Sequence, residues 1–259
     1  MRASSVRRKL RTGARLIITS VMVFAVQGLG AVPADAEPEV VSGYGRSLQF
    51  SGYDWSIKTA SILVGPGPNY FRDAEDSVWV DDQGRLHLRV QPDESGAWTA
   101  AEVVLQAKLG YGTYTFVVDG PLETIDPNVV LGLFTWNDDP AQNHRELDIE
   151  FARWGNPQAP NGQYTVQPFE IAGHETWFET PTGARRTTHS LRWRPDRVAF
   201  TSADERDIFA AHVFADGLPQ PGGEQVRINL WLDGGRPPIN NLPAEVVIES
   251  FDFSPLSEN

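Results

Sequence analysis

From residue 37 onward the chain shows almost no helical periodicity. Short runs of alternating apolar and polar residues are separated instead by Gly, Pro, Asn and Asp. A period of two sends successive side chains to opposite faces of a strand. Turn residues recurring at roughly 8–15 positions then point to an all-β sandwich or barrel. Ser77–Val80 and Arg85–Val90, split by Gly84, form a hairpin pattern, and Glu102–Leu109 and Tyr111–Asp119 flank Gly110. Val129–Trp136, Glu146–Arg153, Gln163–Phe169, Thr188–Trp193, Arg197–Ser202, Asp207–Phe214, Glu224–Leu232 and Glu245–Phe253 continue the series. No linker and no fixed-period repeat interrupts it, so residues 37–259 are expected to form one domain.

Residues 1–36 have a different character. Arg7, Arg8, Lys9 and Arg11 precede an apolar run from Leu16 to Gly30, and Ala34-Asp35-Ala36 supplies small residues at a cleavage site. This is the pattern of a secretory signal peptide, and the run is shorter than the roughly 20 residues of a spanning helix. The paired arginines fit the twin-arginine export route as well as the general one. The expected mature protein is secreted and extracytoplasmic, and free of the membrane once the signal is removed. Six of the 22 Lys and Arg residues but only one of the 34 Asp and Glu residues lie in 1–36, so the remainder is more acidic than the chain's net −12. Such a body is a poor ligand for nucleic acid or an anionic membrane, both of which need basic contacts. With no cysteine in the chain, disulfides, Fe–S clusters and Cys-ligated zinc are excluded.

The string Glu146-Leu147-Asp148-Ile149-Glu150-Phe151 carries the most chemical information. In a strand, Glu146, Asp148 and Glu150 share one face while Leu147, Ile149 and Phe151 share the other. Like charges in a row on one strand face repel, and Asp is a poor strand former. Residues four apart lie about 13 Å apart at Cα, so two glutamates leaning together bring their carboxyls to roughly 5–6 Å. Retaining glycosidases hold their two carboxyls about 5–5.5 Å apart. One strand can therefore supply both groups of a double displacement, with Asp148 between them setting their charge states. A solvated charged strand is the structural alternative. A divalent-cation site is another, although ligands in a straight row converge poorly on one ion.

These residues, with others in order along the chain, resemble glycoside hydrolase family 16. Glu146 to Phe151 is similar to its E-x-D-x-E signature, and Tyr111-Gly112-Thr113-Tyr114 to an upstream Y-G-x-[FY] strand. Phe134-Thr135-Trp136 resembles the aromatic strand before the acids in bacterial lichenases. Trp193-Arg194-Pro195-Asp196, and Asn229-Leu230-Trp231 with Gly234-Gly235, resemble later motifs. The resemblance spans about residues 50 to 253. It implies a concanavalin A-like β-jelly roll of two curved antiparallel sheets, with Glu146 as nucleophile, Glu150 as acid/base and Asp148 tuning the pair. The implied activity is endo-acting, retaining cleavage of a polysaccharide such as a β-1,3- or β-1,3-1,4-glucan. A transglycosylase, a lectin-like binding module on the same fold and a metal-stabilised wall protein are the alternatives. Departures fall on substrate contacts: His144 stands where lichenases tend to carry Trp, and Thr187-Thr188-His189-Ser190-Leu191 replaces F-H-x-[YF].

Phe134 and Trp136 share one strand face, as do Asn229 and Trp231 on another; alternating aromatics and amides suit sugar rings and hydroxyls. Gln163 and Gln167 are further candidates for hydroxyl binding, and His144 for a bond to sugar or carboxylate. No catalytic cofactor is expected. The family's structural Ca²⁺ would fall near Glu249 by resemblance. A polysaccharide is the expected partner, and a monomer the expected state.

Overall fold

The computed structural model describes residues 42–257. The expected signal peptide, residues 1–36, lies outside the described residues. Sixteen strands run in the order β1 (Ser42–Phe50), β2 (Tyr53–Val64), β3 (Asn69–Phe71), β4 (Val78–Val80), β5 (Leu86–Pro92), β6 (Trp98–Leu105), β7 (Gly112–Asp119), β8 (Val129–Trp136), β9 (Leu147–Phe151), β10 (Gly162–Val166), β11 (Glu175–Phe178), β12 (Arg186–Arg194), β13 (Arg197–Ala203), β14 (Ile208–Phe214), β15 (Gln225–Leu232) and β16 (Ala244–Pro255). Among the described residues the only helical segments are short 3-10 turns.

One sheet orders its strands β11-β10-β9-β8-β15-β6, with β2 and β3 on the far side of β6 and β1 beyond β2. The other runs β4-β5-β16-β7-β12-β13-β14. β5 links the two, pairing with β16 along most of its length and with β6 at Gln91 and Pro92. Neighbours are antiparallel except for the short pairing of β3 with β6.

The core follows from alternation. Leu131, Leu133, Leu147, Ile149, Phe151, Tyr164, Ile228 and Leu230 from the first sheet meet Tyr114, Phe116, Leu191, Trp193, Phe200 and Phe251 from the second. Each odd residue of β9 is thus committed to the interior, which leaves its even residues on the opposite face of the first sheet. The expected strands appear with shifted ends: β6 begins at Trp98 rather than Glu102. β1, β2, β3 and β11 are additions to the expected series.

Candidate active site

Glu146 immediately precedes β9 in an extended conformation (φ −87°, ψ 126°), so the alternation of the strand already holds there. Glu146, Asp148 and Glu150 consequently line one cavity of about 610 Å³ on the outer face of the first sheet. β10 supplies their fixed partners. The Gln163 amide donates to Glu150 Oε2 at 2.7 Å, and the Gln167 amide donates to Asp148 Oδ2 at 2.9 Å. The register explains the first contact, because Gln163 sits directly opposite Glu150.

The approach to Glu146 is conformationally unusual. Gln142, Asn143, His144 and Arg145 all have positive φ, between 52° and 59°. Four successive non-glycine residues in the left-handed region are held only where surrounding contacts over-determine them. Here Asn137 N–H donates to the His144 carbonyl at 2.7 Å, and His144 Nδ1 donates to the Asn137 carbonyl at 2.8 Å. Thr135 Oγ1 donates to the Arg145 carbonyl at 2.8 Å, while the Arg145 guanidinium reaches the carbonyls of Gln220 and Ala141. The His144 ring lies flat on Trp136, with centroids 3.9 Å apart and planes 8° from parallel. The turn therefore fixes both the first carboxylate and an aromatic wall of the cavity.

Cross-strand rows build the cavity floor. Along one row, Glu102 on β6, Asn229 on β15, Gly132 on β8 and Glu150 on β9 follow one another through the register, and Lys58 on β2 reaches Glu102 with its side chain. Gly132 is required there: a Cβ would come within 2.5 Å of Asn229 Oδ1. Glu102 has no solvent exposure and accepts from Lys58 Nζ (3.3 Å), Arg227 Nη1 (3.1 Å) and Asn229 Nδ2 (3.2 Å). Arg227 also donates to Asp138 at 2.9 Å and lies 5.8 Å over the Trp136 ring. Phe134, Trp136 and Trp231 complete the aromatic lining, and Ser42, Gly43 and Tyr44 of β1 wall the far side. Trp154 meets Trp231 edge-on at 5.7 Å and donates to Gln163 Oε1 at 3.0 Å.

Burial dominates the electrostatics, because removing water disfavours the charged form of a carboxyl. It pushes Glu146 up to about 8; the Glu150 charge adds to this and the Arg227 guanidinium opposes it. Burial likewise pushes Glu150 up to about 7, against the Gln163 hydrogen bond and reinforced by Glu175. Asp148 is raised well above the ordinary range by burial and then by Glu146 and Glu150, with the Gln167 bond opposing. A site of this kind retains protons near neutrality, as a general acid requires.

The fold recurs in solved glucanases. A β-glucanase of Bacillus licheniformis superposes with a TM-score of 0.60 at 16% identity, over 82% of this chain and 97% of that one. The chain has the β-glucanase jelly-roll fold. A prokaryotic β-1,3-1,4-glucanase (lichenase) derived from a mouse hindgut metagenome shares the jelly roll with a TM-score of 0.58 at 19% identity, over 82% and 99% of the two chains. So does an immunostimulatory antigen and pseudo β-1,3-glucanase of Mycobacterium tuberculosis, with a TM-score of 0.57 at 21% identity over 75% and 88%. No family model and no curated protein matches the sequence.

Within the jelly roll the expected site residues divide. Glu146, Asp148, Glu150, Phe134, Trp136, Asn229 and Trp231 all line the one cavity. Gln163 and Gln167 are placed as donors to the acids rather than as cavity lining, because antiparallel pairing sets β10 beside β9. His144 is turned behind Trp136 by the left-handed turn and stands outside the lining. Glu249 does not fit a cation: Arg186 donates to both of its oxygens, at 2.6 and 3.0 Å, and holds its carboxyl below the ordinary range. Among the described residues no group of three or more acidic or histidine side chains is arranged to hold a metal ion, the row on β9 included. Sequence reasoning missed Lys58, Glu102 and Arg227. The available signal was a single charge inside an apolar run, as in Ala100-Ala101-Glu102-Val103-Val104.

Proposed function

We propose that the protein is a secreted, retaining glycosidase of the glycoside hydrolase family 16 type, acting within a β-linked glucan. One observation carries this reading: three carboxyls from a single strand face open into a cavity walled by Phe134, Trp136 and Trp231. In the proposed reaction a Glu146 oxygen attacks the anomeric carbon. The bond to the leaving sugar oxygen breaks, and Glu150 gives that oxygen its proton. Glu150 then takes a proton from water, whose oxygen displaces Glu146 from the sugar. Another sugar in place of water would give transglycosylation through the same intermediate.

Burial raises both glutamates in the free protein, so the ionised form of Glu146 needs a donor in the complex. Asp148, raised by burial and lying between the glutamates on the same face, is placed to share a proton with them. Gln163 fixes Glu150, and the left-handed turn fixes Glu146. Glycan binding without cleavage is the second reading. It is favoured by the raised carboxyls, because burial keeps the Glu146 nucleophile largely protonated below about pH 8. Release of reducing sugar from laminarin and lichenan by the parent, Glu146→Gln and Glu150→Gln proteins separates the two. The glycosidase reading expects turnover that falls about 10²–10⁴-fold in each variant. Turnover unchanged in Glu146→Gln would end the nucleophile assignment.

A further inference from the structure

All the cavity lining contributed by neighbouring strands lies on one side of β9, on β8, β15, β6, β2 and β1. On the other side stand β10 and then β11, the edge of the sheet. Gln163 pairs with Glu150 on one flank and with Trp177 on the other. Residues directly opposite in an antiparallel pair face the same way, so Trp177 shares the face of the catalytic carboxyls. It lies two strand spacings from Glu150, roughly 10 Å. Alternation along β11 agrees: Phe178 packs onto the core against Phe151 and Tyr164, which leaves Trp177 and Glu175 on the outer face.

Packing does not account for Trp177. Its side chain is 40% exposed and belongs to neither hydrophobic cluster. Its neighbour across the strands, Gln163, is polar and already engaged by Glu150 and Trp154. Edge strands ordinarily carry charges or proline rather than a bare indole. A ring presented flat beside a polar floor suits the apolar face of a pyranose, and the adjacent Glu175 carboxylate suits its hydroxyls. Cleavage inside a polymer also needs sugar sites on both sides of the acids, and the cavity supplies only one side.

We propose that Trp177 is the platform of a glycan subsite on the β11 side of the catalytic carboxyls, stacking a sugar ring of a β-glucan chain whose other side fills the cavity. This rests on the glycosidase reading and assigns the site that lets the protein grip a chain internally. Short oligosaccharides that fill the cavity alone do not reach it; polymers do.

The test compares the parent, Trp177→Ala and Trp177→Phe on laminarin, lichenan and a ladder of their short oligosaccharides, with the melting temperature as a folding control. Binding of both polymers is measured in parallel in a Glu146→Gln background. The subsite predicts that Trp177→Ala raises KM on polymer about tenfold, a loss of the size expected of one aromatic stack. Binding of oligosaccharides short enough to fill the cavity alone, measured in the same Glu146→Gln background, stays unchanged, Trp177→Phe recovers most of the polymer effect, and polymer binding weakens in step with KM. Equal effects on polymer and short substrates, or none on either, would overturn the subsite while leaving the glycosidase reading intact. A parent protein that neither binds nor turns over either polymer would overturn both.

Discussion

Glu146 and Glu150 differ from ordinary surface glutamates because folding withdraws them from water while leaving them open to a ligand. That has a consequence for stability. A carboxyl whose folded pKa is raised binds more protons folded than unfolded, so stability falls as pH rises from the unfolded value through the folded one. For Glu146 the window runs from about 4.5 to about 8. Glu146→Gln removes this penalty; it should match the parent near pH 4 and exceed it above pH 8 by on the order of 2 kcal/mol in denaturant melts. In the proposed reaction the same linked titration sets the pH dependence. That reaction needs the coupled pair to carry one proton, so kcat/KM should be bell-shaped with its maximum near neutrality, rising as the first proton leaves the pair and falling as the second does. Arg227 holds Glu146 down, and Arg227→Met should move the acid limb, on which the nucleophile ionises, to higher pH, read from the pH–rate profile. At this scale the acids were legible in the sequence because three charges at period two have no packing use. Lys58, Glu102 and Arg227 were not, because each is a lone charge in its strand until register sets them side by side.

The element that most controls the chemistry is the left-handed turn from Gln142 to Arg145. Its strain is tolerated because β8 grips it from one side through Thr135 and the 220–222 loop grips it from the other through Arg145 and Asn137. Thr135→Val keeps the shape but removes the bond to the Arg145 carbonyl. It should cost about 1 kcal/mol in stability. It should also lower kcat more than it changes KM, since Glu146 rather than the sugar-binding rows loses its support; thermal melts with steady-state kinetics check both. Hairpins marked by turn residues, such as β4–β5 around Gly84, were legible because glycine with a strict alternation leaves one reading. The turn at 142–145 was not, since Gln, His and Arg carry no sign of a positive φ. β1 and β11 were also missed. β1 is Ser- and Gly-rich and mostly exposed, and β11 has only four residues, so neither shows a clean alternation.

At the scale of the molecule, two sheets enclose one aromatic-rich core and leave the outer face of the first free for a ligand. The all-β class is legible in the sequence, because turn spacing and period two together exclude helical layers. The expected calcium position was less so: a resemblance locates an acid, but not the arginine that folding brings to it. With Arg186 on Glu249, chelator should leave the melting temperature unchanged, whereas Arg186→Ala should lower it by a few degrees at most, as for an exposed ion pair. In the proposed reaction this arrangement serves one outcome, displacement at an anomeric carbon by one glutamate with protonation by its strand neighbour. Proton NMR of laminarin or lichenan during the first minutes of hydrolysis reads that outcome from the anomer formed. The account predicts that the β-anomer appears first and the α-anomer follows only by mutarotation. An α-anomer formed first would contradict it.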